Sequence, residues 1–553
     1  MIANLLFRHR YRRFLAACGD PVRAQAASLR RILRQASGTD IGAAAGFERL
    51  AGISDDKRMI RAYQDALPVR SCRDMRSELA AVYAGEWRRL CPSPPLFFAM
   101  TAGSTGCYKY IPVTRELRGE LGAGSQIFYG ALLAACPALR GLKAQFLVGS
   151  AEGGLTPTGV PQGFASGFNY RQLPRAVRSR FILPYWVFTL PDLEERLYAM
   201  GRMLAGDRSL GALCAISPVN LINLRQALER NAERLFADLE AGTLTLGCSP
   251  AVQGAYRGRP QPKLARALRD TWQWSGTLPN RRLFPALEVL VCWQGGSMSY
   301  YLDELERNYE VPHRFEFPIS ASEGVFAIPH RLDRAGGILA ITSHYFEFLP
   351  EGASAEGTAR RADQLERDAA YRLVVTNGGG LYRYDMEDIV QVTDFVGRTP
   401  VIEFISRVGH QVSVANERIS DRDVTVAMQA ASRAMGRWYP EFLFVPGSDR
   451  RYRVLLDGGS AGGQTPRAGV ALRGFAMELE YQLRQAAMGY DFEREDGLLQ
   501  PLELVVTAPG ELVDYLARRQ SGPKLPNAQL KPLHLAVEFD THTSFHAVET
   551  YAA

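Results

Sequence analysis

Across residues 144–406, short runs rich in β-branched and aromatic residues (AQFLVG, LEVLVCW, HRFEFPIS, GILAITS, YRLVVT and PVIEFIS) alternate with helical or irregular stretches. Strand runs separated in this way bury their apolar faces by layering helices on a sheet, so the expected fold class is α/β. The first hundred residues read differently. AASLRRILRQA and MRSELAAVYAGEWRRL carry apolar positions at helical spacing and predict mainly helix.

A second pattern begins after about Arg407. DRDVTVAMQAASRAMG puts Val424, Ala427, Met428, Ala431 and Met435 on one helical face, and EFLFVPG and RYRVLLDGG read as strands. The Gly-rich connector DGGSAGGQTPRAG then leads to a helix through FAMELEYQLRQAA and a strand LELVVT. This makes a compact α+β unit of a normal domain size. The expected organisation is a large α/β domain over 1–407 and a small C-terminal domain over 408–553, with no internal repeat at a fixed period.

Charge and apolar run lengths exclude some functions. A net charge of +7 over 553 residues, without a dense basic block or an aromatic-interleaved basic stripe, argues against a nucleic-acid partner. No run approaches the roughly 18 to 20 apolar residues of a membrane span, and MIANLLFRHRYRRF has too short an apolar stretch for a secretory signal. It reads as a basic amphipathic helix on a cytoplasmic protein. Eight cysteines without a CxxC pair suit buried thiols in a reducing compartment better than a zinc site or a disulfide framework. Lysine is scarce among the 65 cationic residues, so Lys109 and Lys531 carry more weight than any single arginine.

Three stretches have the residue types that chemistry needs. In TAGSTGCYKYIPVT, small residues let backbone N–H groups converge on an anion, the hydroxyls of Thr101, Ser104 and Thr105 add donors, and Lys109 adds a charge. The stretch is neither a Walker A loop nor a GxGxxG fingerprint, and an ordinary turn is the alternative. ISASEGVFAIP delivers Ser322 and Glu323 at the end of a strand-like run, where one carboxylate could hold Mg²⁺ bridging substrate phosphates; a solvated Glu is the alternative. TNGGGLYRYDMEDIV leads from three glycines to Asp388, an acceptor suited to ribose hydroxyls, or else is a hairpin with a solvated acidic turn. No GxSxG nucleophile elbow is present, and HTSFH lacks a third metal ligand.

Together and in this order, the three stretches resemble the anion loop, metal and adenine segment and ribose aspartate of the adenylate-forming superfamily that includes firefly luciferase and acyl-CoA ligases. More narrowly, TAGSTGCYKYIPVT, SASEG and GLYRYDMEDIV resemble the signatures of the auxin-responsive acyl acid amido synthetase family (Gretchen Hagen type), and a bacterial member of it is expected. ILRQASGTDIG, CWQGGSMSYYLDEL, EFISRVGHQVSVANERISD and NAQLKP extend the resemblance over most of the chain. Some positions depart from the family pattern. Ala102 and Ser104 replace a usual Ser and Thr, Ile319 stands where the superfamily often stacks a tyrosine on adenine, and Asp385 and Glu387 replace a basic residue and a glycine.

The resemblance implies an ATP-dependent ligase that adenylates a carboxylic acid and transfers the acyl group to an amine, an amino acid in most of the family. It implies that Thr101, Gly103, Ser104, Thr105, Gly106 and Lys109 hold the phosphates and that Glu323 holds Mg²⁺ beside Ser322. It further implies that Asp388 takes the ribose, that Tyr382 and Arg407 lie close to the nucleotide, and that Lys531 bridges carboxylate and α-phosphate. The small domain would turn about Arg407 to His410 between half-reactions, in a monomer. Transfer to coenzyme A or a carrier protein, and a non-catalytic nucleotide-binding role, remain the alternatives.

Overall fold

The computed structural model of the chain describes residues 2–102, 108–173, 175–179, 181–247, 256, 258–353, 359–447, 449–460, 466–520, 532–537 and 545–553. These divide into two compact units, one of residues up to 294 with 305–404, the other of 295–304 and the described residues beyond 404 apart from 524–529. The fold class is mixed α/β, as the alternating runs imply.

The first hundred residues form the helices Ile2–Ala17, Pro21–Ala36, Asp40–Ala45, Phe47–Ala51, Asp56–Ala66 and Arg76–Tyr83. Local chemistry sets their ends. Pro21 occupies a first-turn position that needs no N–H donor, while Asp20 caps the same helix by accepting from the Arg23 N–H at 3.1 Å. The helix Pro21–Ala36 then buries Ala26, Leu29, Ile32 and Leu33, one stripe at helical spacing.

The strands are β1 (Phe97–Ala102), β2 (Tyr108–Val113), β3 (Lys143–Phe146), β4 (Gln162–Gly163), β5 (Leu210–Cys214), β6 (Val289–Cys292) and β7 (His313–Glu316). They continue as β8 (Ile319–Ala321), β9 (Gly324–Ile328), β10 (Gly337–Leu339), β11 (Tyr345–Pro350), β12 (Ala370–Thr376), β13 (Tyr384–Val396) and β14 (Thr399–Arg407). Among the described residues, β3, β5, β6 and β7 form a parallel sheet, and β1 pairs with β2 and β4. The sequence of the buried β6, Val-Leu-Val-Cys, is the continuous apolar run that a strand covered on both faces requires.

A seven-stranded sheet in the order β11-β12-β13-β14-β10-β9-β8 holds two of the three candidate stretches. The pairings of β8 with β9, β9 with β10, β10 with β14, β11 with β12 and β12 with β13 are antiparallel. The helix Arg115–Ala135 packs along β9, and both feed one core with Phe128, Val325, Ile338, Leu339, Phe346 and Val375.

The second unit carries β15 (Gln411–Val412), β16 (Ile419–Ser420), the helix Asp421–Met435, β17 (Phe442–Pro446) and β18 (Tyr452–Leu456). The helices Pro466–Ala486, Met488–Glu495 and Glu511–Gln520 follow with β19 (Glu503–Thr507) and β20 (Ala547–Ala552), and β17 to β20 lie in one sheet. Val424, Ala427, Met428 and Ala431 are buried as their spacing implies, while Met435 at the helix end stays exposed.

Residues 295–304 are an excursion that the sequence pattern does not signal. Tyr300 donates to the Tyr439 carbonyl at 2.8 Å, Gln429 donates to the Ser299 carbonyl at 3.0 Å, and Arg433 pairs with Asp303 at 2.6 Å. Tyr300 and Tyr301 in CWQGGSMSYYLDEL are therefore core residues of the second unit. Cys18, Cys91, Cys136, Cys214 and Cys292 are buried free thiols. No helix among the described residues is long and apolar enough to cross a membrane.

Candidate functional site

Backbone pairing places Thr101 opposite Lys109 across β1 and β2. Gly103, Ser104, Thr105 and Gly106 lie outside the described residues, as does Lys531. The end of the same stretch is well defined. Thr114 caps the helix Arg115–Ala135 by accepting from the Leu117 N–H at 3.1 Å, and its hydroxyl donates to the Gly378 carbonyl at 2.7 Å. The first stretch is thus bonded directly to the triple glycine of the third.

Ser322 and Glu323 do not end a strand of the parallel sheet. They form the two-residue turn between β8 and β9, at the edge of the antiparallel sheet, with Ala321 paired to Gly324. Glu323 is only 5% exposed, so the solvated alternative fails. Its carbonyl accepts from the Asn377 side-chain amide at 2.6 Å. Asn377 in turn accepts from the Gly379 N–H at 2.9 Å, which locks the second stretch to the third.

The glycines in these turns are required by close approach. A Cβ on Gly378 would come within 2.8 Å of the Glu116 side chain, and one on Gly324 within 2.6 Å of His344 Nε2. The turn Asn377–Arg383 is buried throughout rather than a solvated acidic hairpin.

Tyr382 and Tyr384 part company here. The Tyr382 hydroxyl donates to the Leu90 carbonyl at 2.8 Å, and its ring meets Phe47 edge-on at 5.1 Å within the helical cluster. This residue, expected beside the nucleotide, is committed to packing. Tyr384, which opens β13, is the one near enough to Glu323 to feel its charge. Burial pushes its phenol well up, and the Glu323 carboxylate adds to the shift. The two tyrosines are two residues apart, and only the backbone path of the turn tells them apart.

Arg383, with φ at +49°, grips Glu347 with two bonds of 3.0 Å, and its guanidinium also donates to the Gln64 carbonyl at 2.8 Å. It holds the start of β13 to the helix Asp56–Ala66. Asp385, an added negative charge relative to the family pattern, pairs with Arg372 at 3.2 Å and accepts from the Glu387 N–H at 2.9 Å. Burial, with Glu387 and Asp388 nearby, still raises its pKa. Asp388 is buried on β13, and Arg407 ends β14 in the second unit.

Glu387 has φ at +58°, a left-handed backbone that favours glycine, the residue usual at this point in the pattern the chain resembles. Glu387→Gly should therefore raise stability by about 0.5–1 kcal/mol, because it removes backbone strain and like charge beside Asp385 and Asp388. A urea midpoint that falls instead would show that the Glu387 carboxylate contributes more than its backbone costs.

Among the described residues no cluster of three or more His, Cys, Asp or Glu could hold a metal ion. A single buried carboxylate at Glu323 still fits Mg²⁺, which takes one or two protein carboxylates and completes its shell with phosphate oxygens and water.

The GH3 family N-terminal domain matches residues 10–311, and the GH3 family central domain matches residues 337–407. Indole-3-acetic acid-amido synthetase GH3.8 of Oryza sativa subsp. indica is 27% identical over 529 residues, 87% of this chain and 85% of its own. Jasmonoyl--L-amino acid synthetase JAR4 of Nicotiana attenuata is 23% identical over 75% of this chain and 74% of its own. The solved structure of AtGH3.15 acyl acid amido synthetase in complex with 2,4-DB shares the fold with a TM-score of 0.80 at 18% identity, covering 99% of this chain and 97% of that one.

Proposed function

This chain belongs to the GH3 family, and from that premise we propose that it is an ATP-dependent acyl acid amido synthetase, which adenylates a carboxylic acid and passes the acyl group to an amino acid. The observation that carries the reading is the direct bonding of three distant stretches, through Thr114 to Gly378 and Asn377 to Glu323. Those bonds join Thr114 of the first stretch, Glu323 of the second and the Asn377–Gly378 turn of the third, which supports one shared site.

A carboxylate resists attack at neutral pH because its charge repels nucleophiles and its leaving group would be an oxide. Adenylation removes both obstacles. A carboxylate oxygen attacks the α-phosphorus of ATP, the bond to pyrophosphate breaks, and an acyl adenylate results. The amine then attacks the carbonyl carbon, AMP departs with the electron pair, and the ammonium loses its proton to solvent. The protein's contribution is positioning and charge stabilisation at phosphorus.

In this reading the loop from Thr101 to Lys109 receives the phosphates, and Glu323 with Ser322 beside it holds Mg²⁺. The metal, when bound, would neutralise charge on the phosphate oxygens. Tyr384, rather than Tyr382, feels the Glu323 charge and takes the position near the nucleotide. Asp388 accepts the ribose hydroxyls, and Arg407 lies on the chain between the nucleotide-binding domain and the small domain that carries Lys531.

Acid-dependent exchange of pyrophosphate into ATP tests the first half-reaction, and AMP formation that needs an added amino acid tests the second. AMP formation that ignores added amino acids but is stimulated by coenzyme A would overturn amide synthesis in favour of thioester formation. Asp388→Ala should weaken ATP binding by roughly tenfold, the size of one or two hydrogen bonds to a charged acceptor, and leave 2′-deoxy-ATP less affected. An unchanged preference between the two nucleotides would move the aspartate out of the ribose site.

A further inference from the structure

The turn that presents Glu323 is held from behind by a buried pair the sequence does not advertise. His344, fully buried in the connection that leads into β11, accepts the Val325 N–H on its Nε2 at 3.1 Å. A backbone N–H can only donate, so the ring proton sits on Nδ1, which lies 2.9 Å from a Glu120 carboxylate oxygen. The same Glu120 oxygen accepts the Gly378 N–H at 2.9 Å, and its other oxygen pairs with Arg31 at 2.6 Å. Burial alone would raise the Glu120 carboxyl; the bonds from His344, Arg31 and Gly378 override it and hold the group below its ordinary range.

One carboxylate therefore reaches both turns of the candidate site. It holds the glycine turn directly at Gly378, and it holds the Glu323 turn through the imidazole at Val325. Gly324 leaves the ring no slack, since a Cβ there would lie 2.6 Å from Nε2. We propose that Glu120 and His344 are positioning residues that set the Glu323 turn against the glycine turn, and that His344 thereby sets the Mg²⁺ requirement without touching metal or nucleotide. The inference rests on the reading of Glu323 as the metal-holding carboxylate.

Two substitutions of similar size separate this role from plain packing. His344→Asn keeps a donor for Glu120 but frees the Val325 N–H, whereas His344→Gln brings an oxygen to the Nε2 position and keeps that bond. The measurements are the Mg²⁺ concentration that half-saturates ATP binding by calorimetry, and the thermal midpoint, with Glu323→Gln run alongside. The expected result is a requirement about tenfold higher in His344→Asn and restored to within about twofold in His344→Gln, the scale on which outer partners tune a metal site. Both variants should lose thermal stability alike. A raised requirement in Glu323→Gln with none in His344→Asn would overturn the positioning role alone. An unchanged requirement in Glu323→Gln would overturn the metal reading and the inference with it. Should His344→Asn fail to fold, Glu120→Gln, which weakens both bonds from the shared oxygen, is read by the same two outcomes.

Discussion

Arg383→Met should destabilise the first unit by about 3–5 kcal/mol, the usual cost of removing one partner from a buried ion pair. Glu347 is 1% exposed and would keep a single side-chain donor, the Gln64 amide at 2.9 Å, for a carboxylate now held by three bonds. The Gln64 and Leu67 carbonyls would each lose the Arg383 donor as well. Methionine adopts the same left-handed backbone at about equal cost to arginine, so the loss isolates the guanidinium. The double variant Arg383→Met, Glu347→Gln should recover part of the loss by removing the orphaned charge. Urea denaturation reads both. A single-variant loss below about 1 kcal/mol would mean that Glu347 finds another cation or takes up a proton cheaply.

That ion pair also shows where reading the sequence stops. The strands were legible because covered strands need continuous apolar runs, and β6 and β12 have them. The helix Asp421–Met435 was legible because its apolar residues repeat at helical spacing. Arg383 was invisible as a structural cation, since its partner Glu347 lies 36 residues away with no local pattern linking them. Glu120 and His344 are 224 residues apart and show the same limit. Long-range polar pairs arise from the fold, and no spacing rule encodes them.

Within the candidate site the errors have a common origin. Tyr382 and Tyr384 are equivalent in composition and both are buried, so only the path of the Asn377–Arg383 turn sends one onto Phe47 and leaves the other under the influence of the Glu323 charge. Ser322 and Glu323 do follow directly on a strand, as the run implies, but a run ending in a carboxylate looks the same in either kind of sheet. The antiparallel pairing of β8 with β9 instead makes them a hairpin turn. In CWQGGSMSYYLDEL the aromatic residues read more readily as core than as the lining of an acid pocket, and Tyr300 and Tyr301 are core.

Lys531→Ala should lower acid-dependent pyrophosphate exchange by on the order of 10² to 10³, the size of one preorganised charge lost from a transition state. Lys531 lies outside the described residues, but the segment that follows it is firmly seated in the second unit. The His534 carbonyl accepts the Phe444 N–H at 2.7 Å, the Phe444 carbonyl accepts the Ala536 N–H at 2.9 Å, and the His534 ring stacks on Phe442 at 4.3 Å. Burial pushes the pKa of His534 down to about 3, so the anchor stays neutral and needs no charge at position 531. Removing the lysine should then leave the domain folded, with a thermal midpoint near that of the parent. Its ammonium would be needed only while negative charge gathers between the acid and the α-phosphate, so aminolysis of a supplied acyl adenylate should stay close to the parent rate. Equal loss of both half-reactions would make Lys531 a structural residue, and no loss in either would remove it from the chemistry and leave Lys109 as the lysine that faces the phosphates.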